Sequence, residues 1–164
     1  MINKNISGWI LIDKPIGVTS NYVLQKIKKI FKNKKAGYVG TLDPLASGFL
    51  PVAIGKATKV ISYIENVNKK YVFVVQWGIK TETGDSEGKI IQTKQKYPNE
   101  KEIKDTLKYF VGQIEQRPPR FSSVKINGSR AYELARKNIQ FKTKTRKVTI
   151  DEFELLKKIS KNKA

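Results

Sequence analysis

The sequence predicts an α+β chain. Strand-like runs such as Tyr71–Trp77 and amphipathic helical stretches such as residues 20–32 both recur along its 164 residues, with turn signatures of Gly, Pro and Asp between them. That length suits one domain, residues 1–164, with a modest core. With 39% hydrophobic and 29% charged residues, the chain reads as globular rather than disordered.

Residues 8–12 read as a short buried strand, closed by the turn signature Asp13-Lys14-Pro15-Ile16-Gly17. Thr19 or Ser20 can cap a helix over about 20–32, with Val23, Leu24, Ile27, Ile30 and Phe31 on its apolar face and Lys26, Lys28, Lys29 and Lys32 on the other. Residues 49–54 look like a strand, in which Pro51 argues for an edge or a bulge. Gly55 leads into a short helix with Val60, Ile61 and Ile64 on one face. Residues 71–77, rich in Val and aromatics, read as a strong strand. After the polar turn 81–88, residues 89–93 return as a hairpin partner. A helix starts at Asn99 and runs to about Val111. Strands are expected over 122–126 and 148–156, the latter with a bulge at Asp151-Glu152, and a short helix over 130–137.

The chain has no His and no Cys. This removes disulfides, thiolate chemistry, Ser–His and Cys–His nucleophile pairs and the commonest zinc ligand, and it fits a reducing cytoplasm. The acids are scattered, with no Asp-rich calcium loop, so no metal site is expected. The longest apolar runs are far too short to span a bilayer. The net charge is +19, which points to a polyanionic partner, nucleic acid or an anionic membrane surface; the plain alternative is a lysine-rich solvated surface. The positives concentrate in residues 117–147, which hold ten Lys or Arg and one acid, Glu133. No long basic amphipathic helix with an aromatic face is present, which favours nucleic acid over membrane.

Chemistry must then come from carboxylates, hydroxyls, Lys or Arg. Asp105 reads as a solvated helix charge, Asp151 as part of a bulge, Asp13 as a turn former, and Asp85 as the Asx closure of a hydroxyl-rich turn. Asp43 differs. Pro44 pushes it toward an extended backbone, and Gly37, Gly40 and Gly48 frame the loop around it. Such a frame projects one short carboxylate from a rigid loop, as a preorganised nucleophile requires; an ordinary Asp-Pro turn is the plain alternative.

Gly37 to Lys59, reading G-Y-V-G-T-L-D-P-L-A-S-G-F-L-P-V-A-I-G-K-A-T-K, resembles the catalytic motif of the TruB-type tRNA pseudouridine synthases. Further blocks agree in order: D-K-P-I-G-V-T-S at 13–20, Lys70-Tyr71, T-E-T-G-D at 81–85 with Gly88, and Q-R-P-P-R-F-S-S-V-K at 116–125 with Gly128, Tyr132 and Ala135-Arg136. The resemblance covers about residues 8–156.

The resemblance implies a largely antiparallel sheet flanked by helices, incomplete at the C-terminus, with the Asp43 loop over a central cleft. It implies an isomerase that converts uridine 55 in the T-arm of tRNA to pseudouridine, in the cytoplasm, as a monomer, without cofactor or metal. Asp43 falls on the nucleophile, and attack at the uracil ring and at the ribose C1′ both suit a carboxylate. Tyr71 matches the tyrosine that packs on the target base. Lys14, Tyr38, Asp85 and Lys125 are further substrate-binding candidates, and residues 117–147 correspond to the part that grips the T-arm. A base inside the folded T-loop has to be flipped out to react.

Two departures accompany the match. The family usually carries His where this chain has Tyr38, which can stack and hydrogen-bond but not become a cation. A later family block resembling G-T-Y-I-R-S-L, whose Arg pairs with the catalytic Asp, and the C-terminal RNA-binding module are expected to be absent. The alternative reading is therefore a truncated, weak or inactive product that at most binds tRNA. A generic basic RNA-binding module would leave the framed Asp43 unexplained. On the nucleic-acid reading, tRNA affinity should fall on the order of a thousandfold between about 50 and 200 mM salt in a filter-binding titration. A flat response would leave only a solvated basic surface.

Overall fold

The computed structural model describes residues 6–32, 34–64 and 67–164. Contacts group them into two compact units, residues 1–71 and 72–164, where the sequence reads as one domain.

The first unit is a three-stranded antiparallel sheet covered by one helix. Strand β1 is Gly8–Lys14, helix α1 Ser20–Ile30, β2 Ala36–Tyr38 and β3 Gly48–Ile54, with sheet order β1-β3-β2. A 3-10 helix, Gly55–Tyr63, follows β3. The helix begins where Thr19 caps it, the Tyr22 N–H donating to the Thr19 hydroxyl at 3.0 Å. Its apolar stripe, Val23, Leu24 and Ile27, packs on Leu50, Val52 and Ile54 of β3, with Ile10, Ile12, Tyr38 and Leu42 around them. Period-two alternation puts Leu50, Val52 and Ile54 on one face of β3, which is why a helix fits there.

Pro51 lies in the central strand, not at an edge or bulge. Its carbonyl accepts the Val39 N–H at 3.0 Å, and the β2–β3 ladder ends at Tyr38 opposite Val52. In an antiparallel ladder the N–H and C=O of a residue face the same neighbour. The donor that proline lacks therefore falls where β2 leaves off, and the pairing with Leu11 of β1 does not need it.

The second unit is built of short antiparallel ladders. Strands β4 (Ile79–Thr81) and β5 (Ile90–Thr93) form a hairpin with an irregularity at Lys80/Thr81. Helix α2, Glu100–Leu107, starts with a capping box in which Asn99 and Glu102 each bond the other's backbone N–H, at 2.9 and 2.8 Å. Strand β6 (Gly112–Gln116) pairs with β9 (Arg146–Ile150), and β7 (Lys125–Ile126) with β8 (Ser129–Arg130). Asn127 and Gly128 join the last pair, with φ of 47° and 88°, the positive-φ geometry of a two-residue hairpin turn. Helix α3 is Ala131–Arg136.

Three expected strands are shortened or missing. Residues 71–75 lie in no strand, and Tyr71, Val72, Phe73 and Val74 are exposed. Pairing starts only with Val75, whose N–H donates to the Ala164 carbonyl, and with Trp77, which bonds Asn162. A strand needs a backbone partner, and among the described residues no ladder includes 71–74; the Phe73 ring meets Phe153 at 5.9 Å, a side-chain contact that pairs no backbone. The last strand stops at Ile150, because its partner β6 begins at Gly112, opposite that residue. Residues 122–124 lie outside β7 for the same reason, the hairpin pairing only two residues on each side.

Leu50 is 1% exposed at the centre of the first unit's core. Leu50→Ala should lower unfolding stability by about 2–5 kcal/mol in urea titrations followed by circular dichroism.

Candidate active site on the Asp43 loop

The loop between β2 and β3 is held at every peptide that matters to Asp43. Val39 is buried and anchored to Pro51. The Ser20 hydroxyl, 2% exposed, accepts from the Leu42 N–H at 3.0 Å and donates to the Leu42 carbonyl at 2.9 Å. On the other side of Asp43, the Pro44 carbonyl accepts the Gly17 N–H at 2.8 Å. Gly17 has φ of 89°, a conformation that turns its N–H toward the loop and suits glycine. The Ala46 N–H donates to the Asp43 carbonyl at 3.0 Å, closing a turn with Pro44 at its second position, where a fixed φ is favoured.

Both neighbours of Asp43 are thus pinned to the segment 17–20. The Asp43 side chain is exposed, and among the described residues its carboxylate has neither a hydrogen bond nor an ion pair. A rigid backbone carrying an unengaged carboxylate can act as a nucleophile, as a base, or as an acceptor for a ligand hydroxyl or amide. Ser20 was legible in the sequence only as a possible helix cap. Thr19 takes that role, which frees the Ser20 hydroxyl for the loop. Two adjacent hydroxyl residues at a helix start, of which one cap is needed, are the signal that could have found it.

The other candidates are distributed differently. Lys14 departs from the expected substrate contact. It is fully buried, and its ammonium donates to the Pro15 and Val18 carbonyls at 2.8 Å each, folding the turn that carries Gly17. It serves the loop by holding that turn. Tyr38 lies in β2 opposite Val52, half-buried against the core. Tyr71 is 66% exposed.

In the second unit, Asp85 is occupied as a turn former. One of its oxygens accepts the Thr83 hydroxyl and the Glu87 N–H, at 2.5 and 2.9 Å. Its carbonyl accepts the Thr81 hydroxyl, which closes the turn. Lys125 is exposed on β7. Around it, part of the positive charge of 117–147 is used internally. Arg120 bonds the Ile139 carbonyl and lies over Phe141, Arg136 lies over Tyr132, and Arg146 grips Gln116. Lys125, Lys137, Lys142, Lys144 and Lys147 are exposed. Thr143, buried, ties this segment together through the Pro118 carbonyl at 2.7 Å.

Among the described residues no cluster of three carboxylates is placed to hold a metal ion. Nor is any helix among them long and apolar enough to cross a membrane.

Residues 28–163 match the family model for the TruB family pseudouridylate synthase N-terminal domain. This chain belongs to the TruB family. It is 48% identical over 149 residues to the tRNA pseudouridine synthase B of Ehrlichia ruminantium, covering 91% of this chain and 50% of that protein. With the synthase of the same name from Ruegeria sp. it shares 45% identity over 153 residues, 93% of this chain and 51% of the relative. The TruB-type chain thus spans about half the length of the curated relatives it matches.

Among solved structures, a chain of a Cbf5–Nop10–Gar1 complex superposes with a TM-score of 0.64 at 34% identity, covering 95% of this chain and 37% of that one. A chain of an H/ACA ribonucleoprotein bound to a substrate RNA containing 2′-deoxyuridine gives a TM-score of 0.54 at 36% identity, over 69% of this chain and 30% of that one. These likenesses bear out the α+β class and the antiparallel pairing.

The Ser20–Leu42 clamp makes a direct prediction for this TruB-type loop. Ser20→Ala leaves the part-buried Leu42 N–H and C=O without their partner, so it should cost about 1–3 kcal/mol. It should also speed hydrogen exchange of the Leu42 amide more than that of the β1–β3 amides, read by mass spectrometry or NMR.

Proposed function

We propose that this chain carries the catalytic loop of a tRNA pseudouridine synthase, with Asp43 as the nucleophile toward uridine 55 of the T-arm. The observation that carries the reading is the unengaged, exposed Asp43 carboxylate on a loop whose residues 42 and 44 are both fixed by the 17–20 segment. An ionised carboxylate can add to the substrate and later leave, and that reversible step is what the isomerisation needs. The N1–C1′ bond breaks, the uracil turns, and a C5–C1′ bond forms. C5 gives up its proton and N1 gains one, so the change is redox-neutral and balanced without a cofactor.

Access to the base requires it to leave the folded T-loop. Tyr71, exposed, is available to pack on the flipped base and to assist proton removal at C5. Tyr38 offers a ring edge and a hydroxyl where the family usually has His. Lys125 and the exposed lysines of 117–147 supply contacts for phosphates, which give affinity and register rather than sequence choice. A tRNA substrate is supported by the names of the relatives, and a cytoplasmic location follows from that substrate.

One observation favours a second reading, binding without turnover. Among the described residues no cation pairs with the Asp43 carboxylate. A positive partner favours the ionised, nucleophilic form. The two readings separate in one assay. The purified chain is incubated with a tRNA transcript, and pseudouridine is measured by mass spectrometry. Turnover should be present in the parent and fall to background in Asp43→Asn, with tRNA affinity changed by less than about threefold. Turnover surviving in the variant would remove Asp43 as nucleophile. A parent that binds but makes no pseudouridine would establish the binding-only reading.

A further inference from the structure

The first unit carries more positive charge than the Asp43 loop explains. Residues 1–71 hold twelve lysines, no arginine and three acids, Asp13, Asp43 and Glu65. Asp13 and Asp43 belong to one end of the sheet, where Lys14 pairs with Gly48 and the Asp43 loop enters β3. Glu65 lies outside the described residues. No acid at all occurs between Asp13 and Asp43, or from Pro44 to Ile64.

The lysines gather at the other end of the sheet. There β1, β2 and β3 meet through Gly8↔Ile54 and Ala36↔Ile54. The Gly55 N–H donates to the Lys35 carbonyl at 2.7 Å, which brings Lys35 beside Gly55-Lys56. Lys59 follows Lys56 by one turn of the 3-10 helix, and side chains three residues apart eclipse in that helix, so both line one edge. Lys32 ends the turn after α1, its N–H donating to the Lys29 carbonyl. Lys26 and Lys29 continue the charge back along the exposed side of α1. Lys26, Lys29, Lys32, Lys35, Lys56 and Lys59 are all exposed.

Helix-dipole complementarity accounts for part of this. Lys28 and Lys29 lie in the last turn of α1, where cations are favourable. It does not account for Lys35, outside any helix, or for Lys56, in the first turn of the 3-10 helix where a cation is disfavoured. Lys104–Glu100 and Lys108–Asp105, ion pairs among the described residues, both belong to the second unit.

We infer that this end of the sheet is a second phosphate-binding surface, which holds the RNA backbone well away from the reacting base. From the Lys14–Gly48 pair to the Gly8–Ile54 pair the ladder runs six residue steps, about 20 Å. Helix α1, eleven residues long, links the two ends with Ser20 at the loop and its lysines toward the far end. One RNA strand following that helix meets Asp43 at one end and Lys32, Lys35, Lys56 and Lys59 at the other. Four exposed lysines that pair with no carboxylate among the described residues fit phosphates, and their ladder-fixed distance from Asp43 fits a backbone contact outside the loop that carries the base. The inference rests on the reading of Asp43 given above.

The test uses the full chain and a tRNA transcript, with affinity measured over about 50–300 mM KCl. Replacing Lys32, Lys35, Lys56 and Lys59 by Gln should lower the slope of log affinity against log salt by about 3, since each phosphate contact contributes about 0.7–0.9. The matched control replaces Lys80, Lys89, Lys94 and Lys96 of the second unit by Gln, removing the same charge, and its slope should move by less than about 1. Replacement of the first four by Arg should restore the slope. Lysine acetylation footprinting of the unaltered chain gives an answer independent of any variant, and bound tRNA should protect those four positions.

Equal slope changes in variant and control, or no tRNA protection, would overturn the inference. So would an unchanged tRNA slope with loss of binding to phosphatidylserine vesicles, which would make the surface a membrane contact. Failure of the functional reading shows separately. The chain would then form no pseudouridine while the slope difference persisted.

Discussion

One hydroxyl connects the core of the first unit to the Asp43 loop. Ser20 Oγ both accepts from and donates to the peptide groups of Leu42, the residue before Asp43. A hydroxyl can do this because it is at once donor and acceptor. Ser20 is fixed in turn by α1, and α1 by the packing of Val23, Leu24 and Ile27 on Leu50, Val52 and Ile54. The backbone from which Asp43 projects is therefore positioned by apolar packing two steps away. The Lys14 ammonium completes the arrangement from the other side. It folds the turn from which Gly17 reaches Pro44 without touching the carboxylate.

The chain's charge is divided between different tasks. In the second unit several arginines are drawn into contacts with Gln116, Phe141, Tyr132 and the Ile139 carbonyl, where planar guanidinium groups stack and fork. Lys125, Lys137, Lys142, Lys144 and Lys147 there, and Lys32, Lys35, Lys56 and Lys59 of the first unit, are exposed point charges suited to a backbone of phosphates. Arginine shapes the basic segment, and lysine gives it and α1 their field.

Much of this was legible in the sequence where the information is local. The apolar stripe of α1, the Thr19-Ser20 start, the Asn99 cap and the framed Asp43 depend on neighbours within a few residues, and the fold keeps them. Residues 71–77 failed for the opposite reason. Their Val and aromatic content favours a strand, but a strand exists only beside a partner, and one arrives only at Val75 and Trp77. Strand β6 went unread because its five residues alternate weakly and gain their identity from β9. Lys14 is a substrate-binding candidate through the family resemblance, and in the fold it is satisfied by two carbonyls of its own turn. The sequence favours a turn-closing role for Asp85, and one of its oxygens accepts two hydrogen bonds within that turn.

Pro51 has a further consequence. A hydrogen-bonded antiparallel pair needs a donor and an acceptor from each residue, and Pro51 can return nothing to the Val39 carbonyl. The ladder is half made at that point and cannot continue along β2. The chain must then leave the sheet at Val39, four residues before Asp43, whatever the residues of the loop prefer. The starting point of the Asp43 loop is thus encoded on the opposite strand. Substitutions within residues 40–47 can reshape the loop, but the sheet edge cannot advance to absorb it while proline stands at 51.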